Sequence, residues 1–134
     1  MELPFETELS VRFRDLDVLG HVNNAVYATY LEHARLRYFD HVLDVPWEER
    51  EMVLANLNIE FNRPVTDEGG TVRIACGVTE LGTSSFRMNS RVSSGDGEEP
   101  AATAETTLVA IEDGHPREIP SSWRERFIDF EPGL

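Results

Sequence analysis

The residues from Asn24 to about Val42 carry the one long helical pattern in this chain, and the rest must be built to cover it. Tyr27, Leu31, Ala34, Tyr38 and Val42 recur at i, i+4, i+7, i+11 and i+15, which lines one stripe of an α-helix. Thr29, His33, Arg37 and Asp40 fall on the other side. Ala25, Ala28 and Ala34 are small enough for close approach to a sheet. Asp44-Val45-Pro46 ends the pattern. A second, short helix is expected from Pro120-Ser121 to about Phe130, with Ser121 or Ser122 as its cap. A helix with one apolar stripe must bury it against another layer.

That layer is read from alternation. Phe5, Thr7, Leu9, Val11 and Phe13 face one way over residues 5–13, and Glu6, Glu8, Ser10 and Arg12 the other. A second strand is expected over 52–62, with Val53, Ala55, Leu57, Ile59 and Phe61 on one face. Further strands are expected over 71–81, 84–93 and 101–112, and His115-Pro116-Arg117 reads as a loop. The turns are Thr66-Asp67-Glu68-Gly69-Gly70, Gly82-Thr83 and the polar run Ser93 to Pro100. Short turns make the four late strands an antiparallel meander, with the first strand paired somewhere in it. The fold class is α+β: a curved antiparallel sheet wrapped around one long helix. With 134 residues and no repeats or linkers, residues 1–134 are expected to form a single domain.

Composition narrows the function classes. Net charge is −13, and all twelve basic residues are arginine. So acidic a surface disfavours nucleic acid and anionic membranes as partners. It suits a high-salt cytoplasm, although a GC-rich genome also favours arginine over lysine. No apolar run approaches the length of a membrane span, and no signal segment is evident at the start. Cys76 stands alone in an apolar alternating stretch, which predicts a core thiol, no internal disulfide and a cytoplasmic location. No clustered histidine or cysteine pattern suggests a metal site.

The chemistry concentrates in the loop before the long helix, Asp15-Leu16-Asp17-Val18-Leu19-Gly20-His21-Val22-Asn23-Asn24. Asn23 or Asn24 is placed to cap the helix. A helix start offers unpaired N–H groups and a partial positive charge, which can hold an oxyanion. A carboxylate just upstream could work on the same substrate atom. Asp and Asn before a helix are also ordinary caps and turn formers.

The element order and the stretch Asp15 to Tyr27 resemble the hotdog-fold acyl-CoA thioesterases of the 4-hydroxybenzoyl-CoA thioesterase family. The same loop is similar to that of acyl-ACP thioesterases. Ile59-Glu60-Phe61-Asn62-Arg63-Pro64-Val65 and Glu80-Leu81-Gly82-Thr83-Ser84-Ser85-Phe86 carry the likeness onward. The resemblance implies hydrolysis of an acyl-CoA thioester with no metal or organic cofactor. It puts the catalytic carboxylate on Asp17, as nucleophile or as general base, and the oxyanion donor on the backbone N–H near Asn24. Asp15 then has a structural role, as a turn former or as partner of a neighbouring arginine. His21 either orients substrate or water or satisfies the loop. The acyl-ACP enzymes carry an asparagine two residues before this histidine, where Leu19 stands here. Glu32 is read as an intrahelical partner of Arg35 rather than as a helix-borne catalytic acid.

Substrate contacts implied by the resemblance fall on Gly20, Val22, Asn23, Tyr27, Arg63, Ser85 and Arg87. Gly20 is expected to supply a positive φ or a close approach. A basic cluster found in some relatives is replaced by Gly82, Thr83, Ser84 and Ser85, leaving Arg63, Arg87 and Arg91 as candidates for the nucleotide phosphates. An acidic carrier protein would be repelled by this surface, which favours coenzyme A. Tyr27, Tyr30, Tyr38 and Phe61 suit an aryl pocket or an aliphatic tunnel equally, with a short-to-medium acyl group preferred. Relatives assemble through their sheets, so a homodimer or homotetramer is expected. The alternatives are a non-catalytic acyl-thioester-binding module, an acyl-ACP thioesterase and, more distantly, a hydratase.

Overall fold

The computed structural model describes residues 2–66, 70–95 and 99–134. The elements run β1 (Phe5–Ser10), α1 (Val26–Val42), β2 (Met52–Phe61), β3 (Thr71–Leu81), β4 (Ser85–Ser94), β5 (Ala102–Glu112), the two-residue β6 (His115–Pro116) and α2 (Ser121–Phe130). The strands form one antiparallel sheet in the order β1-β3-β4-β5-β2, with β6 folded back on β5. This is the expected curled sheet on a long helix.

Topology differs from the expectation at one strand. Only β3, β4 and β5 form the meander. β2 crosses the sheet to pair with β5, so β1 and β2 are the two edges. Short turns fix neighbours only from β3 onward. The connection from β2 to β3, part of which lies outside the described residues, is not a tight hairpin. The longest polar connection also falls partly outside them.

The α1 stripe is buried as its spacing requires: Tyr27, Leu31, Ala34, Tyr38 and Val42 are all in the core, while Thr29, His33, Arg37 and Asp40 lie outside it. Arg37 reaches β1, donating to Thr7 Oγ1 and to the Glu8 carbonyl, both at 2.7 Å. The opposite flank meets β4 and α2 through Phe39, Phe86 and Phe127. From β3, Val72, Ile74, Cys76 and Val78 point inward, so Cys76 is a core thiol. Burial pushes its pKa up to about 12.

Several local expectations are corrected. β1 stops at Ser10; the chain then makes a short 3₁₀ turn over Phe13–Asp15, leaving Phe13 exposed. The α1 cap position is Ala25, and neither asparagine caps it by side chain. Asn23 Oδ1 instead accepts from Ala25 N–H at 2.9 Å, a local turn just before the helix. At α2 the cap position is Pro120, with no side-chain cap from Ser121 or Ser122. In β2 the register shifts between Leu54 and Asn56. A bulge adds one residue and turns the side chains over. Leu57, Ile59 and Phe61 therefore share a face with Leu54 and Met52, and not with Val53 and Ala55. His115 and Pro116 form a strand pair rather than a loop.

Candidate active site

The loop before α1 is folded by its own backbone. Leu16 bridges to Val22. Asp17 N–H donates to the His21 carbonyl at 2.7 Å, and Gly20 N–H to the Asp17 carbonyl at 3.0 Å. Gly20 has φ +78°, as its place in the loop predicts. The bend is sewn to the segment after β2: Val22 N–H donates to the Val65 carbonyl, and His21 pairs with Thr66.

Asp17 is exposed at the rim of this bend. Its Oδ1 accepts from Leu19 N–H at 2.9 Å and from His21 N–H at 3.2 Å. Among the described residues no donor meets its Oδ2. Around α1's start, Asn23 N–H goes to the Asp15 carbonyl, Ala25 N–H to Asn23 Oδ1 and Val26 N–H to the Asn23 carbonyl. The N–H of Asn24, between them, has no acceptor among the described residues.

A cleft of about 290 Å³ gathers Asp17, His21, Val22, Asn24 and Tyr27 opposite Phe61 to Pro64. Tyr27 is 1% exposed and packs edge-on against Phe61, with ring centroids 5.1 Å apart. Burial pushes its phenol pKa up. Arg63 lines the mouth and donates to the Glu99 carbonyl at 2.9 Å. Gly20 and Asn23 shape the loop without lining the cleft. Asn62 and Pro64 do line it; the sequence marks their segment but singles out only Phe61 and Arg63.

Two expected contacts lie elsewhere in the chain. Ser85 starts β4 opposite Val109, and Arg87 on the same strand pairs with Glu80 at 3.1 Å and Glu105 at 3.5 Å. Arg91 is likewise on β4. Glu32 is exposed, and no ion pair joins it to Arg35 among the described residues. Arg35 is instead buried, which pushes its pKa down, and among the described residues its Nη1 has no hydrogen-bond partner.

Asp15 is 1% exposed. Its Oδ2 accepts from Arg12 N–H at 2.8 Å and from the Tyr30 hydroxyl at 2.7 Å, and its Oδ1 meets Arg12 Nη2 at 3.2 Å. Burial opposes its charge, but these donors outweigh it and hold the carboxyl below its ordinary pKa. The expected arginine partner is therefore Arg12. The contact with Tyr30 has no signal in the sequence.

The comparisons with known proteins fit this geometry. The model of the thioesterase-like superfamily matches residues 11–127. The chain belongs to that superfamily. It is 40% identical to a thioesterase of Thermus thermophilus solved with coenzyme A and zinc, covering 93% of this chain and 92% of that one with a TM-score of 0.84. It is 27% identical to a chloroplastic acyl-acyl carrier protein thioesterase of Arabidopsis thaliana, over 93% of this chain and 68% of that protein. Over 62 residues, 44% of this chain and 47% of the other, it is 37% identical to the long-chain acyl-CoA thioesterase FadM of Escherichia coli. This thioesterase-like chain is a thioester hydrolase with a hotdog fold. No group of three or more His, Cys, Asp and Glu among its described residues is arranged to hold a metal ion. No helix among them is long and apolar enough to cross a membrane.

Proposed function

We propose that this chain hydrolyses acyl-CoA thioesters in the cleft between the Asp17 loop and Phe61 to Pro64. One observation carries the reading: Asp17 and Asn24 line the same cleft, and among the described residues Asp17 Oδ2 has no donor and Asn24 N–H no acceptor. Asp17 Oδ2 takes a proton from water. The water oxygen bonds to the thioester carbon, and the carbonyl oxygen gains charge against Asn24 N–H. The carbon–sulfur bond then breaks. The thiolate leaves with the proton from Asp17, giving free acid and coenzyme A. Tyr27 and Phe61 supply an apolar wall, and Val22 the floor beside it. Hydrolysis in ¹⁸O-water under single turnover tests the route: label found in Asp17 would mean attack by Asp17 itself, with water opening the resulting anhydride at the aspartyl carbon.

The net charge of −13 supports coenzyme A over an acidic carrier protein. The Arabidopsis relative keeps the carrier protein as the second reading. The test is thiol release from acetyl-, octanoyl-, palmitoyl- and benzoyl-CoA, and from octanoyl carrier protein. Faster turnover of the CoA esters is expected. A kcat/KM higher for the carrier protein overturns the carrier assignment, and tight binding without release overturns catalysis.

The same proposal includes a homodimer. β2 is an edge strand whose Leu54 and Phe61, though on its core side, are 47% and 45% exposed. A second copy seated along β2 would cover them. In this reading Ser85 and Arg87 contact coenzyme A bound in the neighbouring copy's cleft. Light scattering should give at least twice the monomer mass; a monomer refutes the assembly.

A further inference from the structure

The tip of the loop that carries Asp17 has little apolar burial to hold it; buried Val22 and half-buried Leu16 anchor only its base. Phe13, Val18 and Leu19 are 92%, 102% and 74% exposed, and Arg14, Asp17 and Gly20 are exposed as well. Its backbone bonds join it to itself and to the Val65–Thr66 segment. Among the described residues, one side-chain hydrogen bond ties it to α1: the Tyr30 hydroxyl to Asp15 Oδ2, at 2.7 Å.

Asp15 has an unusual reach for one residue. Its carboxylate is fixed by Tyr30 and Arg12. Its carbonyl accepts from Asn23 N–H at 2.8 Å, next to the N–H of Asn24, which has no acceptor among the described residues. Its chain continues through Leu16 to Asp17. A shift of Asp15 reaches the Asn23–Asn24 peptide through one hydrogen bond and the Asp17 carboxylate through the chain, so it displaces the two by different amounts and changes their relative placement. Tyr30 sits in the first turns of α1, whose stripe is locked in the core. The arrangement refers both working groups to one rigid element.

We propose that Asp15 and Tyr30 are positioning residues for thioester hydrolysis: their hydrogen bond sets the placement of Asp17 relative to the Asn24 N–H. This rests on the catalytic reading given above. An orienting contact of this kind acts on the chemical step, since displacement by about 1 Å can cost on the order of 10²-fold in rate. Substrate binding in the apolar cleft needs no such accuracy.

Tyr30→Phe tests it, because the ring keeps its packing and loses only the hydroxyl. With the acyl-CoA that wild type turns over fastest, kcat is expected to fall about tenfold or more, well below the melting temperature, while KM moves less than about twofold. Asp15→Asn keeps an acceptor for Tyr30 and should lose less kcat than Asp15→Ala. A purely structural role would lower the melting temperature and leave kcat at 25 °C unchanged; that outcome, or a rise in KM alone, overturns the proposal. Asp17→Asn is run beside it. If Asp17→Asn retains activity, the catalytic reading falls and this proposal with it. If Asp17→Asn is inactive and Tyr30→Phe stays within about twofold of wild type, the positioning role alone is overturned.

Discussion

Two carboxylates stand near opposite ends of α1 and are handled in opposite ways. Asp17, before the helix, is exposed, with one oxygen on loop amides and the other without a donor among the described residues. Glu131, just after α2, is 4% exposed. Its Oε2 accepts from the Tyr38 hydroxyl at 2.5 Å and from Val78 N–H at 3.1 Å. Burial pushes the Glu131 pKa up against those two donors. Gly77 is what makes room for it: a Cβ there would lie 2.7 Å from Glu131 Oε2. A carboxylate whose bonding is used inside the protein holds elements together, here α1, β3 and the end of α2. One with a spare oxygen at a cleft is available to a substrate.

The sharpest break of that contrast is a pair of isosteric changes. Asp17→Asn should lower kcat by about 10²–10⁴-fold, the usual worth of a general base. Its fold should be intact, since the side chain is exposed. Glu131→Gln should leave kcat unchanged. Thiol release measured on both, with circular dichroism as the fold control, decides. Comparable losses in the two would mean that the buried cluster serves the chemistry.

A second contrast uses the glycines. Gly20 has φ +78° and open space around its Cα, so Gly20→Val meets backbone strain of about 1–3 kcal/mol and no clash. The loop should relax and carry Asp17 away, lowering turnover about tenfold or more for a small loss of stability. Gly77→Ala meets a clash with the Glu131 carboxylate. It should cost about 1–3 kcal/mol through the displaced hydrogen bonds and leave kcat alone. Thermal melts and initial rates on both variants test the crossed pattern; parallel effects would break it.

The same division explains what the sequence made legible. The α1 stripe, the β3 alternation, the position of Gly20 and the loop bearing Asp17, His21 and Asn24 are local patterns, and periodicity or adjacency carries them. The bond from Tyr38 to Glu131 joins residues far apart in the chain, and so does that from Asp15 to Tyr30. No spacing rule encodes either. β2 misled for two reasons. A single bulged residue inverts an alternating face, and edge position depends on a crossover that turn chemistry does not specify. Arg35 reads as the intrahelical partner of Glu32, whereas in the fold it is buried and Glu32 is exposed.

Stability should also respond to pH through Glu131. Glu131 has a folded pKa above its unfolded one, so the folded state holds its proton more tightly. Its contribution to stability is greatest below the ordinary carboxylate pKa and is lost as pH rises through the raised value. Glu131→Gln removes that loss. The melting temperature of the variant minus that of wild type should grow from about pH 4 towards neutrality, by a few degrees. A flat difference over this range would show that the two donors offset burial at Glu131, and a shrinking one that they outweigh it.

The smallest expected effect concerns Asn24. Its side chain makes no hydrogen bond among the described residues, and the group assigned to the oxyanion is its backbone N–H. Asn24→Ala keeps that N–H and also the turn formed by Asn23 Oδ1 and Ala25 N–H. Turnover should therefore fall by no more than a few-fold, far less than in Asp17→Asn, where the acting atom itself is changed. The measurement is kcat on the same acyl-CoA, with oligomer mass and melting temperature held as controls. If Asn24→Ala abolishes turnover while fold and assembly persist, the amide side chain is the group that meets the substrate. The oxyanion donor would then have to be moved off the main chain, and the free N–H at the start of α1 would be a structural remnant of a helix without a side-chain cap.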